Sequence, residues 1–319
     1  MNIYPLLFKP IFKDRIWGGS KLKSLFGKEI QSDQVGESWE LSTVGGDVSI
    51  VADGPYQNLP LTDLIAKFPQ EILGKKVFEQ FGNQFPLLFK FLDASQDLSI
   101  QVHPNDELAQ KRHNCFGKTE MWYIIQAEEN ARNIIGFKED SSAKEYLQKL
   151  ESKDLLSILS QEKVQKGDVF FLETGTVHAI GEGIVLAEIQ QTSDITYRIY
   201  DWDRVDDKGN VRELHLDLAM DAINYAQTHT RRAYTQTENT ENQIVQSNYF
   251  SVNYIPLNGQ LALEHNGDSF RVYMCTEGSF SVIYQGESYS FQKGNTILLP
   301  AVLNDYVLEG KAELLEIFI

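Results

Sequence analysis

The sequence predicts a mainly β protein, built as two sandwiches or barrels with a few short helices. Three observations carry this. Short apolar or alternating segments, separated by Gly, Asp and Asn clusters, follow one another closely along most of the chain. Neither a βαβ alternation nor a GxGxxG loop occurs, which argues against a dinucleotide-binding sheet. Finally, Gly167-Asp168-Val169-Phe170-Phe171-Leu172 has a weak echo in Gly294-Asn295-Thr296-Ile297-Leu298-Leu299, so the chain reads as two similar units.

The elements follow in order. Residues 1–10 carry a short apolar patch (Ile3, Tyr4, Leu6, Leu7, Phe8) broken by Pro5, with no basic leader and no small-residue cleavage site. That reads as a strand and not as a signal peptide. Residues 61–68 read as a short helix, and the nearly unbroken apolar run 87–92 as a buried strand. Residues 98–103 alternate, with Leu98, Ile100 and Val102 on one face and Ser99, Gln101 and His103 on the other. Pro104-Asn105-Asp106 is a helix start leading into 107–112. Residues 121–125, Val169–Leu172, 184–190 and 195–200 read as further strands, while 141–159 and 214–226 carry helical spacing. The polar, low-complexity stretch 235–243 (TQTENTENQ) reads as a linker, which places a domain boundary near residue 240, between 1–240 and 241–319. After it come strands at 252–255, 270–275, 280–284, 289–291, 296–299 and 312–319.

The bulk numbers bound the function. The chain has 319 residues, enough for one large domain or two ordinary ones, and an apolar fraction of 42% that suits a globular core. A formal charge of −16 disfavours nucleic acid as a partner. An anionic small molecule remains possible if a few Lys and Arg side chains gather locally. Cys115 and Cys275 are the only cysteines, so no disulfide framework is expected and a reducing, cytoplasmic setting is the natural reading. No apolar run is long enough to span a membrane.

The chemistry concentrates in three segments. Ser99, Gln101 and His103 share one strand face. In Gly117-Lys-Thr-Glu-Met-Trp122, Lys118, Glu120 and Trp122 share another. Gly175-Thr-Val-His178 ends the strand that begins at Gly167. Taken singly, each residue has a plain structural reading: a strand histidine is usually a core residue and a lone Glu a solvated face. Together, two histidines, a carboxylate and an amide on separate apolar strands suit zinc or another divalent first-row metal. Such a polar stripe, buried unpartnered, costs about 1–3 kcal/mol per group, and a metal satisfies it. Downstream, Glu188 lies in an apolar strand and Arg198 among aromatics. They read either as a mutual ion pair or as groups facing an anion.

The segments QVHP, KTEMWY and GDVFFLETGTVHAIG resemble the paired motifs of the cupin superfamily, with Glu173-Thr174 in place of the usual proline and 105–117 inserted before the glutamate. Further matches narrow the resemblance to the type I mannose-6-phosphate isomerases in their shorter bacterial form. These are Lys9-Pro10, Ile16-Trp17-Gly18-Gly19, Gly36-Glu37-Ser38-Trp39-Glu40, Phe89-Lys90-Phe91-Leu92, Leu98-Ser99-Ile100-Gln101-Val102-His103-Pro104, Thr176-Val177-His178-Ala179 and Tyr197-Arg198-Ile199-Tyr200-Asp201-Trp202. The resemblance is specific over about residues 1–220 and weaker beyond. It implies two cupin-like jelly-roll β-barrels, a catalytic one over 1–240 and a second over 241–319 without metal ligands. It also implies an aldose–ketose isomerase that interconverts mannose 6-phosphate and fructose 6-phosphate through an enediol, with one zinc per chain. Matched residue by residue, Gln101, His103, Glu120 and His178 would be the zinc ligands. Arg198 would be catalytic, and Trp17, Ser99, Lys118 and Glu188 would line the substrate pocket. Lys118 and Arg198, as cations, also suit the developing enediolate charge, and Glu188 is the first candidate for the base. Two other readings of the same residues stand beside it: an iron-dependent cupin oxygenase, and a non-catalytic sugar-phosphate-binding cupin.

Overall fold

The computed structural model describes residues 3–205 and 209–319. The expected N-terminal strand is therefore followed from residue 3, and Leu6–Lys9 is extended.

Seven strands make one antiparallel sheet, in the order Arg231–Arg232, Val169–Leu172, Glu120–Ala127, Ile184–Gln191, Leu87–Ala94, Val35–Leu41, Ile11–Gly19. A five-stranded sheet runs Leu159–Lys163, Arg132–Phe137, His178–Ala179, Ile100–Val102, Tyr197–Tyr200. An eight-stranded sheet holds the C-terminal strands, and Leu6–Lys9 joins it by pairing with Thr296–Leu299. The first strand of the chain thus completes the sheet formed by its last.

Alternation explains the layers. Along Leu87–Ala94 and Ile184–Gln191, Phe89, Phe91, Val185, Ala187 and Ile189 enter a core shared with Val272, Met274, Leu315 and Ile317 of the C-terminal sheet. Leu92, Ile184 and Leu186, on the opposite face, pack with Trp17, Trp122, Ile135 and Ile180. The central strands are covered on both faces, which is why the run 87–92 is almost continuously apolar. On the outer side of the five-stranded sheet, Tyr146 and Ala219 of the helices Ala143–Glu151 and Leu216–Ala222 close a third cluster.

The mainly β character holds, but the two jelly-roll barrels do not. No sheet closes on itself among the described residues: each ends in an edge strand that pairs on one side only. Closure needs a continuous hydrogen-bonded ladder around the ring. Here Arg231–Arg232, at the edge of the seven-stranded sheet, is two residues long and pairs with Val169–Leu172 alone. A strand with one face inward reads alike in an open sandwich and in a barrel, so spacing and alternation could not separate them. Helices are also more numerous than expected. Lys21–Phe26, Pro69–Leu73 and Lys75–Phe81 join the anticipated Leu61–Lys67 and Asp106–His113. Each of the three has seven residues or fewer, too short for a 3.6-residue repeat to stand out.

Candidate active site

Two polar rows, one from each of the first two sheets, meet at the site. In the five-stranded sheet, Gln101 lies between His178 and Arg198 in register. In the seven-stranded sheet, Trp122, Glu188, Lys90 and Trp39 lie side by side across four strands. Glu120 heads its strand at the junction, and its Oε1 is 3.3 Å from His178 Nε2.

Local structure fixes each group. Asn105 caps Asp106–His113 by accepting from the Leu108 amide at 2.9 Å, so the chain turns sharply just after His103. The segment that carries Lys118 and leads into the strand at Glu120 starts against that turn at Gly117. A Cβ there would come within 2.7 Å of the Asp106 backbone nitrogen, which is why only glycine fits. His103 Nδ1 donates to the Ile195 carbonyl at 2.9 Å, and His178 Nδ1 to the Thr176 carbonyl at 2.8 Å. Both Nε2 lone pairs are thereby turned inward. His103 Nε2 is 3.6 Å from Glu120 Oε2. Burial first, then Lys118, holds His103 well below the ordinary imidazole range, and burial lowers His178 as well.

This donor set fits a divalent metal. His103, Glu120 and His178 are buried, and one ligand atom from each lies within 4.8 Å of the others. Glu120 Oε1 has no hydrogen-bond donor, and Oε2 meets only the Lys118 ammonium, 3.0 Å away. The His178 lone pair and the undonated Glu120 Oε1, 3.3 Å apart, repel one another unless a cation lies between them. Gln101 stands at the edge with its amide nitrogen 3.3 Å from His178 Nε2. Turning the amide over is isosteric and would present its oxygen as a fourth ligand.

A cavity of about 580 Å³ opens beside the trio. Trp17, Ser99, Gln101, Lys118, Glu188 and Arg198, all expected from sequence, line it. Lys118 Nζ is 3.0 Å from Glu120 Oε2 and 3.1 Å from His103 Nε2. Burial pulls this ammonium down, but Glu120 and Glu188 outweigh it and leave the group above its ordinary value. Glu188 does not pair with Arg198. Its oxygens accept from Lys90 Nζ at 2.9 Å and Trp122 Nε1 at 3.0 Å. Burial opposes ionisation, yet Lys90 and Lys118 hold the carboxyl down to about 2. Arg198 donates to the Glu213 carbonyl at 2.8 Å, while its Nε is buried without a partner. Burial, then Arg212, lowers this guanidinium, as expected for a cation short of counter-charge.

Sequence reasoning missed Lys13, Arg15, Glu37, Lys90 and Arg212, all on the cavity wall. One signal was available: a lysine within the apolar run 87–92 must have a buried partner. The lining brings together six cations and five carboxylates, a near-neutral pocket in a chain of net charge −16.

The depressed Glu188 pKa has a measurable consequence. A carboxylate held at about 2, against 4.5 ordinarily, stabilises the fold above about pH 4.5, and that contribution fades as pH falls towards about 2. Urea titrations of metal-free protein between pH 3 and 6 should show acid destabilisation that is shallower in Glu188→Gln. Equal slopes would mean that Glu188 is not held ionised by Lys90.

Residues 6–148 match the family described as phosphomannose isomerase type I, catalytic domain, and residues 240–319 match the mannose-6-phosphate isomerase cupin domain. The mannose-6-phosphate isomerase ManA of Bacillus subtilis is 40% identical, over 98% of this chain and 98% of its own length. The mannose-6-phosphate isomerase of Streptococcus mutans is 34% identical, over 98% and 97%. A crystal structure of the mannose 6-phosphate isomerase from Bacillus subtilis superposes with a TM-score of 0.91 at 35% identity, covering 99% of this chain and all of that one.

Proposed function

This chain belongs to the type I mannose-6-phosphate isomerases, and from that premise we propose how its own residues carry out the family's reaction. The protein is an aldose–ketose isomerase that interconverts mannose 6-phosphate and fructose 6-phosphate with the assistance of a metal. The observation that carries the assignment to this cavity is the buried His103–Glu120–His178 trio opening onto a pocket lined by Lys118 and Arg198.

In the proposed reading the metal is zinc, held by His103, Glu120, His178 and Gln101. When bound, it supplies Lewis-acid polarisation of substrate oxygens. A 1,2-isomerisation moves hydrogen between neighbouring carbons through an enediol, so negative charge builds on two adjacent oxygens. Lys118 is placed to donate to one of them, being protonated and buried at the cavity wall. Arg198 offers its unpartnered Nε and planar fork to an anionic oxygen, with Ser99, just ahead of the neighbouring strand, lining the same cavity. Trp17 closes the apolar side of the pocket. Glu188, the first candidate for the base, is present as the carboxylate a base must be. Its oxygens already serve Lys90 and Trp122, so its part in this reading is the fixed negative charge that helps keep Lys118 protonated. The pocket's cations would draw the phosphate against the chain's own field.

We further propose that residues 1–240 form the catalytic unit, while 241–319 supply none of its metal ligands and lie against its back. The substrate partner is then a sugar phosphate, with no role for nucleic acid. A cytoplasmic location belongs to the same reading. Among the described residues no helix is long and apolar enough to cross a membrane.

The test is a coupled assay on mannose 6-phosphate, with and without chelator, beside metal analysis of the purified protein. Turnover that chelation abolishes and zinc restores is the expected result. Iron content with oxygen consumption would replace this reading with an oxygenase. Binding of sugar phosphate without turnover in metal-replete protein would replace it with a binding protein.

A further inference from the structure

Strand pairing supports Arg198 from one side only. Tyr197–Tyr200 is an edge strand of the five-stranded sheet and pairs with Ile100–Val102 alone. The pairing is irregular at that point: Arg198 stands opposite Gln101 and Tyr200 opposite Ile100, with Ile199 unmatched between them. A bulge of this kind bends its strand and re-aims the side chains beside it. The outer backbone groups of an edge strand also lack a partner strand. The sheet by itself therefore leaves the direction of the Arg198 side chain underdetermined.

His215 supplies the missing side. Its backbone amide donates to the Arg198 carbonyl at 2.8 Å, and its ring Nδ1 accepts from the Arg198 amide at 3.1 Å. A single residue thus does for Arg198 what a neighbouring strand would do. Because a backbone N–H can only donate, Nδ1 must hold the lone pair, and the neutral ring carries its proton on Nε2.

The helix that follows does not account for this ring. His215 immediately precedes Leu216–Ala222, but its side chain makes no capping hydrogen bond. Its carbonyl opens the helix by accepting from the Ala219 amide at 2.9 Å, and Ala219 is buried in the third core cluster. The helix is the anchor, and the ring reaches from it to the strand. Tyr197 stands beside that ring, with centroids 6.4 Å apart, and its own hydroxyl is tied to His113 Nε2 at 2.8 Å. Two residues before His215, the Glu213 carbonyl accepts from Arg198 Nη1 at 2.8 Å. Residues 213–215 therefore grip Arg198 by its amide, its carbonyl and its guanidinium.

We infer that His215 is a positioning residue for the isomerisation: by accepting the Arg198 amide through Nδ1, it fixes the bulged strand so that the guanidinium faces the cavity. The inference rests on the role proposed above for Arg198. Misplacing a catalytic group by about 1 Å can cost on the order of a hundredfold in rate, so a backbone hydrogen bond to the residue that bears it matters far more than its share of stability.

The experiment combines steady-state kinetics with metal analysis on the full chain. His215→Phe keeps a ring and removes the acceptor. It is expected to lower kcat/KM about ten- to hundredfold, through the same constant that Arg198→Ala lowers, with metal content unchanged. His215→Ala, which demands less space, should show the same loss and stands in if the larger ring impairs folding. His215→Asn puts Oδ1 where Nδ1 lies and should recover most of the rate without the ring. In an Arg198→Ala chain, His215→Phe should cost no more than about twofold further, because a residue acting only through Arg198 has nothing left to position. Wild-type activity in both His215→Phe and His215→Ala, no recovery in His215→Asn, or an undiminished further loss in the Arg198→Ala chain would each overturn the inference while leaving Arg198 in the mechanism. Near-normal turnover in Arg198→Ala would instead remove the reading on which it rests, and the positioning role with it.

Discussion

His178→Ala is expected to lose the catalytic metal equivalent and roughly a thousandfold in kcat/KM, since Lewis-acid stabilisation worth about 4 kcal/mol corresponds to that factor. The reason lies in how the histidine is held. Its Nδ1 donates to the Thr176 carbonyl, so its Nε2 has no freedom to turn away from Glu120. Removing the ring leaves Glu120 buried with one imidazole fewer, and only the Lys118 ammonium to fall back on. Chelation of the wild-type protein should reproduce the loss of activity. Elemental analysis of His178→Ala beside wild type checks the first half, and the coupled assay the second. Wild-type metal content together with near-normal kcat would show that the trio does not hold the catalytic ion.

The buried His103–Glu120–His178 trio was legible because each member carried a local signature. His103 and Gln101 alternate with three apolar residues, and Glu120 follows a glycine that the structure shows to be obligatory. His178 follows a Gly-Asp strand across a turn and opens a strand of the other sheet. Lys118 and Ser99 followed from the same alternation. Glu37, Lys13, Arg15 and Arg212 were not legible, because what brings them to the cavity is the pairing of strands far apart in the chain. Glu37 reaches the wall only because Val35–Leu41 pairs with Leu87–Ala94, a register no local pattern encodes. Closure of the sheets escaped for a related reason: whether two edge strands meet is decided by twist and by strand length at the corners, not by which face is apolar. The second sheet shows the converse. Its echo lacked a histidine, yet long-range pairing set Glu316 and His265 against Arg271 from segments that have no motif in common.

Arg198→Ala is expected to lower kcat by about 10²- to 10³-fold, the loss associated with removing one preorganised donor to a developing oxyanion, and to change stability by about 1 kcal/mol or less. The small stability effect follows from the side chain's surroundings. Among the described residues its side chain makes one hydrogen bond, to the Glu213 carbonyl, and its burial beside Arg212 already works against its charge. Deleting it removes one favourable contact together with one repulsive one. The large catalytic effect follows from the Nε, which is buried without a partner at the cavity wall. A donor desolvated at a cost and left unsatisfied is poised for an anion the pocket has yet to receive. Arg198→Lys should rescue little, because an ammonium cannot present two parallel donors from the same strand position. The split between the constants says which oxygen is met. A fall in kcat with KM nearly unchanged places Arg198 at the enediolate, whereas a rise in KM alone places it at the phosphate. Steady-state kinetics with a urea denaturation curve for the same variant measure both effects, and near-normal turnover in Arg198→Ala would remove the residue from the mechanism.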